Sequence, residues 1–433
     1  MKIFCLALVT LFAYTGSAQV QFENRYTGMG GSDAKAIRQT LDSGYIVVGG
    51  QIQPTVMMTV MKTDELGDTV WTRDFDSPAS FGFNVEQCFD KGYIITGYAF
   101  DPSSSTIVIK LDSNGQTEWS ETYSSATSEW GQAIKQLPDS GYIIAGARNF
   151  RIDKNGNVEW SQATAAGSQA MSLITTSDNN LMYTSTGSNV SAGTWVTKMD
   201  YDGNTIWSRS ISFAYTYNNC DNNIAETSDG GYVLAARPTD EIMGLLAKFD
   251  SNGDTLWTRR FQPGSQGAAT SVVESDSGGY LVGGFKVDGT GVNAYLLRTD
   301  EDGTTLWEKD YERAQIQSLI QTYDGGYAMA GYKENSSGKQ KYFVAKLGGG
   351  SAPGLSIRAI DIPKVIVYPT VTRNKLNVNC TECYGSTANI FDTSGRHVQE
   401  IQLAPTIHVN LDNGAYFLVS ELLNGGVYFT VSH

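Results

Sequence analysis

The chain reads as a long series of short apolar or β-branched runs, each bounded by Gly, Asp and Asn. In the first full unit these runs fall at 34–40, 45–50, 56–62 and 69–75, and their length and turn residues predict four strands joined by hairpins. The second run of each unit, such as YIIAG at 142–146 and YVLAA at 232–236, is apolar throughout. Continuous apolar runs suit strands covered on both faces, as in sheets stacked on neighbouring sheets.

The runs repeat. One motif, DxxGxxxW, occurs six times: Asp64 to Trp71, Asp112 to Trp119, Asp153 to Trp160, Asp200 to Trp207, Asp250 to Trp257 and Asp300 to Trp307. A second, a polar turn followed by an apolar run, places Tyr45, Tyr93, Tyr142, Leu181, Tyr232, Tyr280 and Tyr327 in register, and the six intervals average 47 residues. Four short strands per period of 40 to 50 residues is the signature of propeller blades. The predicted fold is therefore all-β, a seven-bladed β-propeller over residues 19–347.

Each motif residue has a structural task in this reading. The glycine supplies a positive φ, the preceding Asp bonds backbone amides of a tight turn, and the Trp packs between blades. The DxDG segments lack the further oxygens and distant bidentate carboxylate of a full calcium loop. Seven Tyr-type strands face only six Trp-type strands, so one outer strand is missing from the last repeat. FENRY at 22–26 matches WSETY at 119–123 and WEKDY at 307–311, with Phe22 in the Trp place. An open ring would leave a sheet edge unpaired. The seventh blade is thus predicted from residues 312–347 plus 20–26.

The Asp, Gly and Trp pattern resembles that of the pyrroloquinoline-quinone-dehydrogenase-like propellers, and Gly49-Gly50 and Gly283-Gly284 resemble the double glycines of Kelch propellers. The resemblance covers roughly residues 20–347. It implies a fold but not a function, because propellers host many unrelated activities; the shared motif maintains the blades and identifies no cofactor ligand, so no cofactor is expected.

The two ends differ from the repeats. Lys2, the apolar stretch 3–13 and the small residues Gly16, Ser17 and Ala18 read as a signal peptide over residues 1–18. Eleven apolar residues span about 16 Å as a helix, too short to cross a bilayer, and no transmembrane segment is expected. After a linker at 348–364, residues 365–433 change composition, with alternating segments at 365–378, 388–398 and 409–420. Tyr368, Pro369, Lys375, Leu376, Asp392, Gly395, Arg396, Leu411, Gly414, Tyr416 and Phe417 resemble the C-terminal sorting domain of type IX secretion substrates of Bacteroidetes. Thr370 and Val371 depart from that pattern, as do the last residues, Val431 to His433. The resemblance implies a small Ig-like β-sandwich, the secretion machinery and a surface sortase as partners, and a secreted or surface-attached destination. An ordinary Ig-like binding module is the alternative.

Composition narrows the chemistry. Charged residues are 18% of the chain and the net charge is −14, which disfavours nucleic acid as a partner, since such binding draws on Lys and Arg. The three histidines, His397, His408 and His433, all lie beyond the repeats. Ser-His-Asp or Cys-His catalysis and His-ligated metals are therefore excluded from the large domain, and no catalytic or metal residue is assigned. Cys88 and Cys220 read as small buried hydrophobes, whereas Cys380 and Cys383 stay open between a disulfide and free thiols.

The motif turns lie on one face and barely vary; the connections on the other face vary in length and composition. Function is expected on the variable face. The third repeat is some eight residues short, predicting a low wall there. Aligned at the mouth of the inner strands are Asp33, Phe81, Trp130, Gln169, Cys220, Ala268 and Gln315. Trp130, Phe81, Phe83, Tyr215 and Tyr217 are the candidate ligand-binding residues; for Trp130, packing between blades is the competing reading, and Trp195 is expected in the core. A polar column of Gln39, Gln87, Gln136, Thr175, Glu226, Glu274 and Gln321 either lines the channel or bonds neighbouring inner strands. Three functions follow: a non-catalytic binding or adhesion module for a glycan or protein, a carboxylate-dependent carbohydrate-active enzyme, or a scaffold without a discrete ligand.

Overall fold

The computed structural model describes residues 20–26, 32–51, 56–76, 78–100, 104–124, 130–164, 168–187, 193–216, 221–261, 266–289 and 291–348 of the first part of the chain. Beyond these it describes 366–368, 371–372, 375–379, 387–392, 397–402, 404, 406–408, 414–419 and 427–431. The expected signal peptide, Tyr217, Cys220, Pro369, Cys380, Cys383 and Gly395 lie outside the described residues. The chain divides into two compact units, 1–354 and 355–433.

The first unit is a seven-bladed β-propeller. Blade 1 pairs Ser32–Gln39, Tyr45–Gln51, Met57–Thr63 and Thr69–Phe75 as a four-stranded antiparallel meander. Five further sheets of the same order follow along the chain, from Ala79 to Phe261 and from Gln266 to Tyr311. Blade 7 comprises Ala314–Gln321, Tyr327–Glu334 and Gln340–Leu347, and its outer strand is Val20–Tyr26. Inner strands of successive blades lie side by side, and the inner strand of blade 7 lies against that of blade 1, so the ring is closed.

The closing strand keeps the register of the other outer strands. Trp71 pairs with Lys62 and Trp119 with Lys110; Phe22 pairs with Lys346 in the same way. Five of the six Trp, all but Trp307, then pack under the turn of the next blade. A Cβ on Gly115 would sit 2.9 Å from the Trp71 ring, one on Gly253 2.8 Å from Trp207, and one on Gly67 2.6 Å from Phe22. The motif glycine is therefore required twice, for its φ near +80° and for the absence of a side chain where an aromatic ring arrives. Only the first reason is legible in the sequence. The same rings meet the Tyr of the next second strand edge-on, Trp71 to Tyr93 at 5.7 Å and Phe22 to Tyr45 at 5.9 Å between centroids. Tyr26 adds a 2.6 Å hydrogen bond from its hydroxyl to the Gly67 carbonyl across the seam.

The turn face is tied together by polar side chains. In six blades a nearly buried Lys or Arg of the third strand meets the Asp of the first turn: Lys62 with Asp42, Lys110 with Asp90, Arg151 with Asp139, Lys198 with Asp178, Lys248 with Asp229 and Lys346 with Asp324. In blade 6 Arg298 donates instead to Ser277. Five members of the polar column join neighbouring turns rather than facing an open channel. Gln87 accepts from the Leu41 amide at 2.8 Å, Gln136 from Phe89 at 2.8 Å, Glu226 from Ser177 at 2.7 Å and Glu274 from Ser228 at 2.7 Å. Gln39 accepts from Tyr323 at 2.7 Å and carries the girdle across the seam. Blade 3 has Pro138 at the donor position, which offers no N–H, and blade 4 opposite has the short Thr175.

Blade 5 departs from the repeat. Its inner edge is split into Ala214–Tyr215 and Ile224–Glu226, and residues 221–223 turn into the axis. Asp221 accepts a bidentate pair from Arg38 of blade 1, with Nη2 to Oδ1 at 3.2 Å, together with Asn84 Nδ2 of blade 2 at 2.8 Å and Ser318 Oγ of blade 7 at 3.0 Å. Asn222, at φ +58°, donates to the Leu319 carbonyl and accepts from the Val272 amide, reaching blades 7 and 6. Asn223 accepts from Thr184 of blade 4 at 2.8 Å. Arg38 also reaches Glu86 at 2.8 Å, and Lys135 of blade 3 reaches Glu86 as well. Three consecutive residues thus act as an axle. Aligning this repeat with its neighbours puts Cys220, which lies outside the described residues, at an inner-strand mouth, while the polar run DNN at 221–223 is spent on the centre.

Cys88 is buried as expected, and burial pushes its thiol up to about 12. Trp195 lies in the third strand of blade 4, Thr194–Met199, but stays half-buried at its end rather than in the core. Only Ala147 separates Tyr142–Gly146 from Arg148–Ile152, the low wall expected in blade 3.

In the second unit the described residues form two sheets. One pairs Ile366–Tyr368, Lys375–Asn379 and Thr406–His408; the other pairs Val371–Thr372, Val427–Val431, Gly414–Val419, Thr387–Asp392 and His397–Gln402. Tyr368, Gly414 and Tyr416 of the expected sorting motif fall on these strands.

Candidate functional site

Meander topology assigns the loops to faces. The first and third turns of every blade share one face, and the second-to-third loops and blade-to-blade connections share the other. On that second, variable face an aromatic cluster straddles blades 2 and 3. Phe81 and Phe83 lie on the inner strand Ala79–Gln87, and Tyr98 and Phe100 close the second strand Tyr93–Phe100. Trp130 immediately precedes the inner strand Gly131–Gln136. The Tyr98 ring stacks parallel to Phe81 with centroids 6.0 Å apart, sits 5.4 Å from Phe83 and 5.6 Å from Trp130, and meets Phe100 edge-on at 4.9 Å.

Exposure is graded across the cluster. Phe81 and Phe83 are buried, Tyr98 and Trp130 are half-buried, and Phe100 is 49% exposed. Burial raises the Tyr98 hydroxyl above its ordinary pKa. The Trp130 indole N–H is shielded and finds no acceptor among the described residues. Trp130 therefore packs between blades, and its ring is one wall of a cluster whose outer edge is Phe100. Lys35 lies 5.9 Å above the Phe81 ring and pairs with Asp33 at 2.5 Å, which gives the cluster a charged inner border.

Of the five candidate ligand-binding residues, three come together here. Tyr215 does not: it sits on blade 5 with the Arg237 guanidinium 5.1 Å over its ring. Tyr98 and Phe100 belong to the site and were not singled out from sequence. Their signal was the YAF that ends the second strand, which pairs two aromatics where the other repeats carry at most one.

The acids nearest the axis are committed. Desolvation pushes the Glu86 carboxyl up, but the adjacent Lys135 and Arg38 cations and their hydrogen bonds outweigh it and hold its pKa below the usual range. In the turns, Asp64, Asp112, Asp153, Asp200 and Asp250 each spend one carboxylate oxygen on two backbone amides. Among the described residues no group of three or more His, Cys, Asp or Glu is placed to hold a metal ion, and no helix is long and apolar enough to cross a membrane.

No family model and no curated protein matches this chain. Solved structures do match in fold. A streptogramin B lyase shares 12% identity at a TM-score of 0.51, over 78% of this chain and 100% of the lyase. A catalytically inactive histidine-to-alanine variant of virginiamycin B lyase from Staphylococcus aureus, solved with quinupristin, shares 11% identity at 0.50 over 76% and 100%. An extracellular domain assigned to a hybrid two-component system of B. thetaiotaomicron shares 11% identity at 0.52, over 94% of this chain but 57% of its own length. At such identities the likeness is one of fold.

Proposed function

We propose that the protein is a secreted or cell-surface propeller that binds an extracellular glycan or protein without transforming it. The aromatic cluster on the variable face carries this reading: buried Phe81 and Phe83 hold Tyr98 and Trp130 in place while Phe100 is offered to solvent. Rigid aromatic surface suits stacking on a sugar or anchoring a partner side chain. The pyrroloquinoline-quinone-dehydrogenase-like and Kelch resemblances support the propeller form of such a module and add no ligand.

Catalysis is the weaker reading. A glycosidase needs a carboxyl kept protonated near neutral pH beside a second one, whereas Glu86 and Asp33 already pair with cations. The histidine whose loss inactivates the lyase variant has no residue of its type in this propeller. Export rests on the leader at 1–18 and on the C-terminal residues that resemble a type IX sorting signal, with the secretion machinery and a surface sortase as partners.

A glycan array followed by product analysis tests the reading: binding without turnover supports it, cleavage favours an enzyme, and neither leaves a scaffold. Trp130→Ala and Phe100→Ala should each weaken binding by about 2 kcal/mol, roughly thirtyfold, Phe100→Ala with little change in melting temperature. Unchanged affinity in both removes the cluster from the site. Deleting 365–433 should leave the protein in the periplasm; normal surface appearance would refute the export route.

A further inference from the structure

The other face carries a second exposed apolar feature, unrelated to the aromatic cluster. At the second position of the first turn, blades 7, 1, 2 and 3 present Tyr323, Leu41, Phe89 and Pro138, whereas blades 4, 5 and 6 present Ser177, Ser228 and Asp276. Tyr323 is 68% exposed, Leu41 66% and Phe89 67%. The three are consecutive around the ring. Gln39 and Gln87 hold the amides of Tyr323 and Leu41, and Gln136 holds that of Phe89. The side chains are thus displayed on a pinned backbone, with little conformational freedom left to lose on binding. Single exposed apolar residues are ordinary, but an ordered run of three large ones beside a channel mouth is an interaction feature.

Charge identifies what it fits. The thirteen motif turns of this face carry nineteen acidic residues against Lys91 and Lys154. Even after the seven third-strand cations beneath them are counted, the face holds a charge of −10, most of the −14 of the whole chain. Asp324, Asp42 and Asp90, which flank the apolar residues, remain at least half exposed although they pair with buried lysines. An acidic field several residues wide favours cationic partners and repels acidic ones. We propose that the turn face is a docking surface for a basic polypeptide segment with apolar side chains, which seat on Tyr323, Leu41 and Phe89 while its Lys and Arg meet the surrounding carboxylates.

The test uses the full chain and a fluorescent amphipathic leucine–lysine peptide, with the leucine–glutamate peptide as its counterpart. The basic peptide should bind and the acidic one should not. Leu41→Ser/Phe89→Ser/Tyr323→Ser keeps every charge and should weaken binding at least about tenfold, while the circular dichroism melt stays in place. A control at exposed apolar positions of the outer strands, Val70→Ser/Leu256→Ser/Leu306→Ser, should leave affinity unchanged. Raising salt from about 0.05 to 0.5 M should also weaken binding. Absent binding, equal binding of the acidic peptide, or equal loss in the control variant would overturn the proposal. So would a dimer of the unliganded protein, seen by sedimentation, that the triple variant abolishes, since that gives the crescent to a second copy.

Discussion

Replacing Asp221 by Asn probes whether the axle holds the wheel together. The carboxylate is 4% exposed and receives two N–H groups of Arg38, one of Asn84 and the hydroxyl of Ser318. With Glu86 and Lys135 the native centre carries two positive and two negative charges. Asparagine keeps the shape but leaves one positive charge unbalanced in a site with little water, and its amide hydrogens face the Arg38 guanidinium. Each charge-assisted bond is worth about 1.5–3 kcal/mol. Breaking a buried pair by removing one partner costs about 3–5 kcal/mol after relaxation, and that range is the expected loss in urea denaturation of the full-length protein. Because these bonds join blades 1, 2, 5 and 7, the loss should appear in the main propeller transition and not as a separate early step. The double variant Arg38→Met/Asp221→Leu should recover much of the loss, since an apolar pair of similar volume avoids the uncompensated charge. A loss below about 1 kcal/mol for the single variant would show that the axle is decoration on an already closed ring.

Deleting 19–27 removes the outer strand of blade 7 and the Phe22 ring, and should lower the melting temperature by at least about 5 °C; a shift within a degree or two would refute closure by that strand. Gly115→Ala should cost about 1–3 kcal/mol, because a left-handed Ala is strained and its Cβ meets Trp71, whereas Gly230→Ala, with the same φ sign and open space, should cost only the backbone part, about 1 kcal/mol. Equal losses would deny the ring contact. Burial opposes the ionised form of Asp178, Asp229 and Asp324, but hydrogen bonds from Lys198, Lys248 and Lys346 outweigh it and bring all three down to about 2. Glu86 is lowered too. Folded values below the unfolded ones stabilise at neutral pH, and that contribution disappears as pH falls from about 4 towards 2. Denaturant midpoints flat from pH 7 to 3 would contradict the pairing.

Much of the propeller is legible in the sequence because its blades are nearly copies. The 47-residue period, the alternation of turns and apolar runs, and the FENRY match each follow from rules repeated six or seven times, so the closing strand could be placed within a residue. What escaped is what occurs once. Asp221 lies in a polar run, NNCDNN, where other repeats continue an apolar strand; that misfit was visible, but its partners Arg38, Asn84 and Ser318 lie far away in sequence and only the ring brings them together. The Lys-to-Asp pairs were written in each copy as Lys62 and Asp42, Lys110 and Asp90, yet separation in the repeat hid them. Tyr98 and Phe100 escaped because a second strand is read as core throughout.

The axle also has a consequence for the order of events as the chain leaves the ribosome. Asp221 needs Ser318, and the strand at 20–26 needs the strand at 340–347, so two locks far apart in the chain wait for the same final blade. Until residues beyond Ala314 arrive, the hub lacks its blade 7 partners and the rim cannot close, so the ring stays open. Such long-range contacts make completion slow and late, which keeps the polypeptide threadable for most of its synthesis and lets it become rigid in a single closing step.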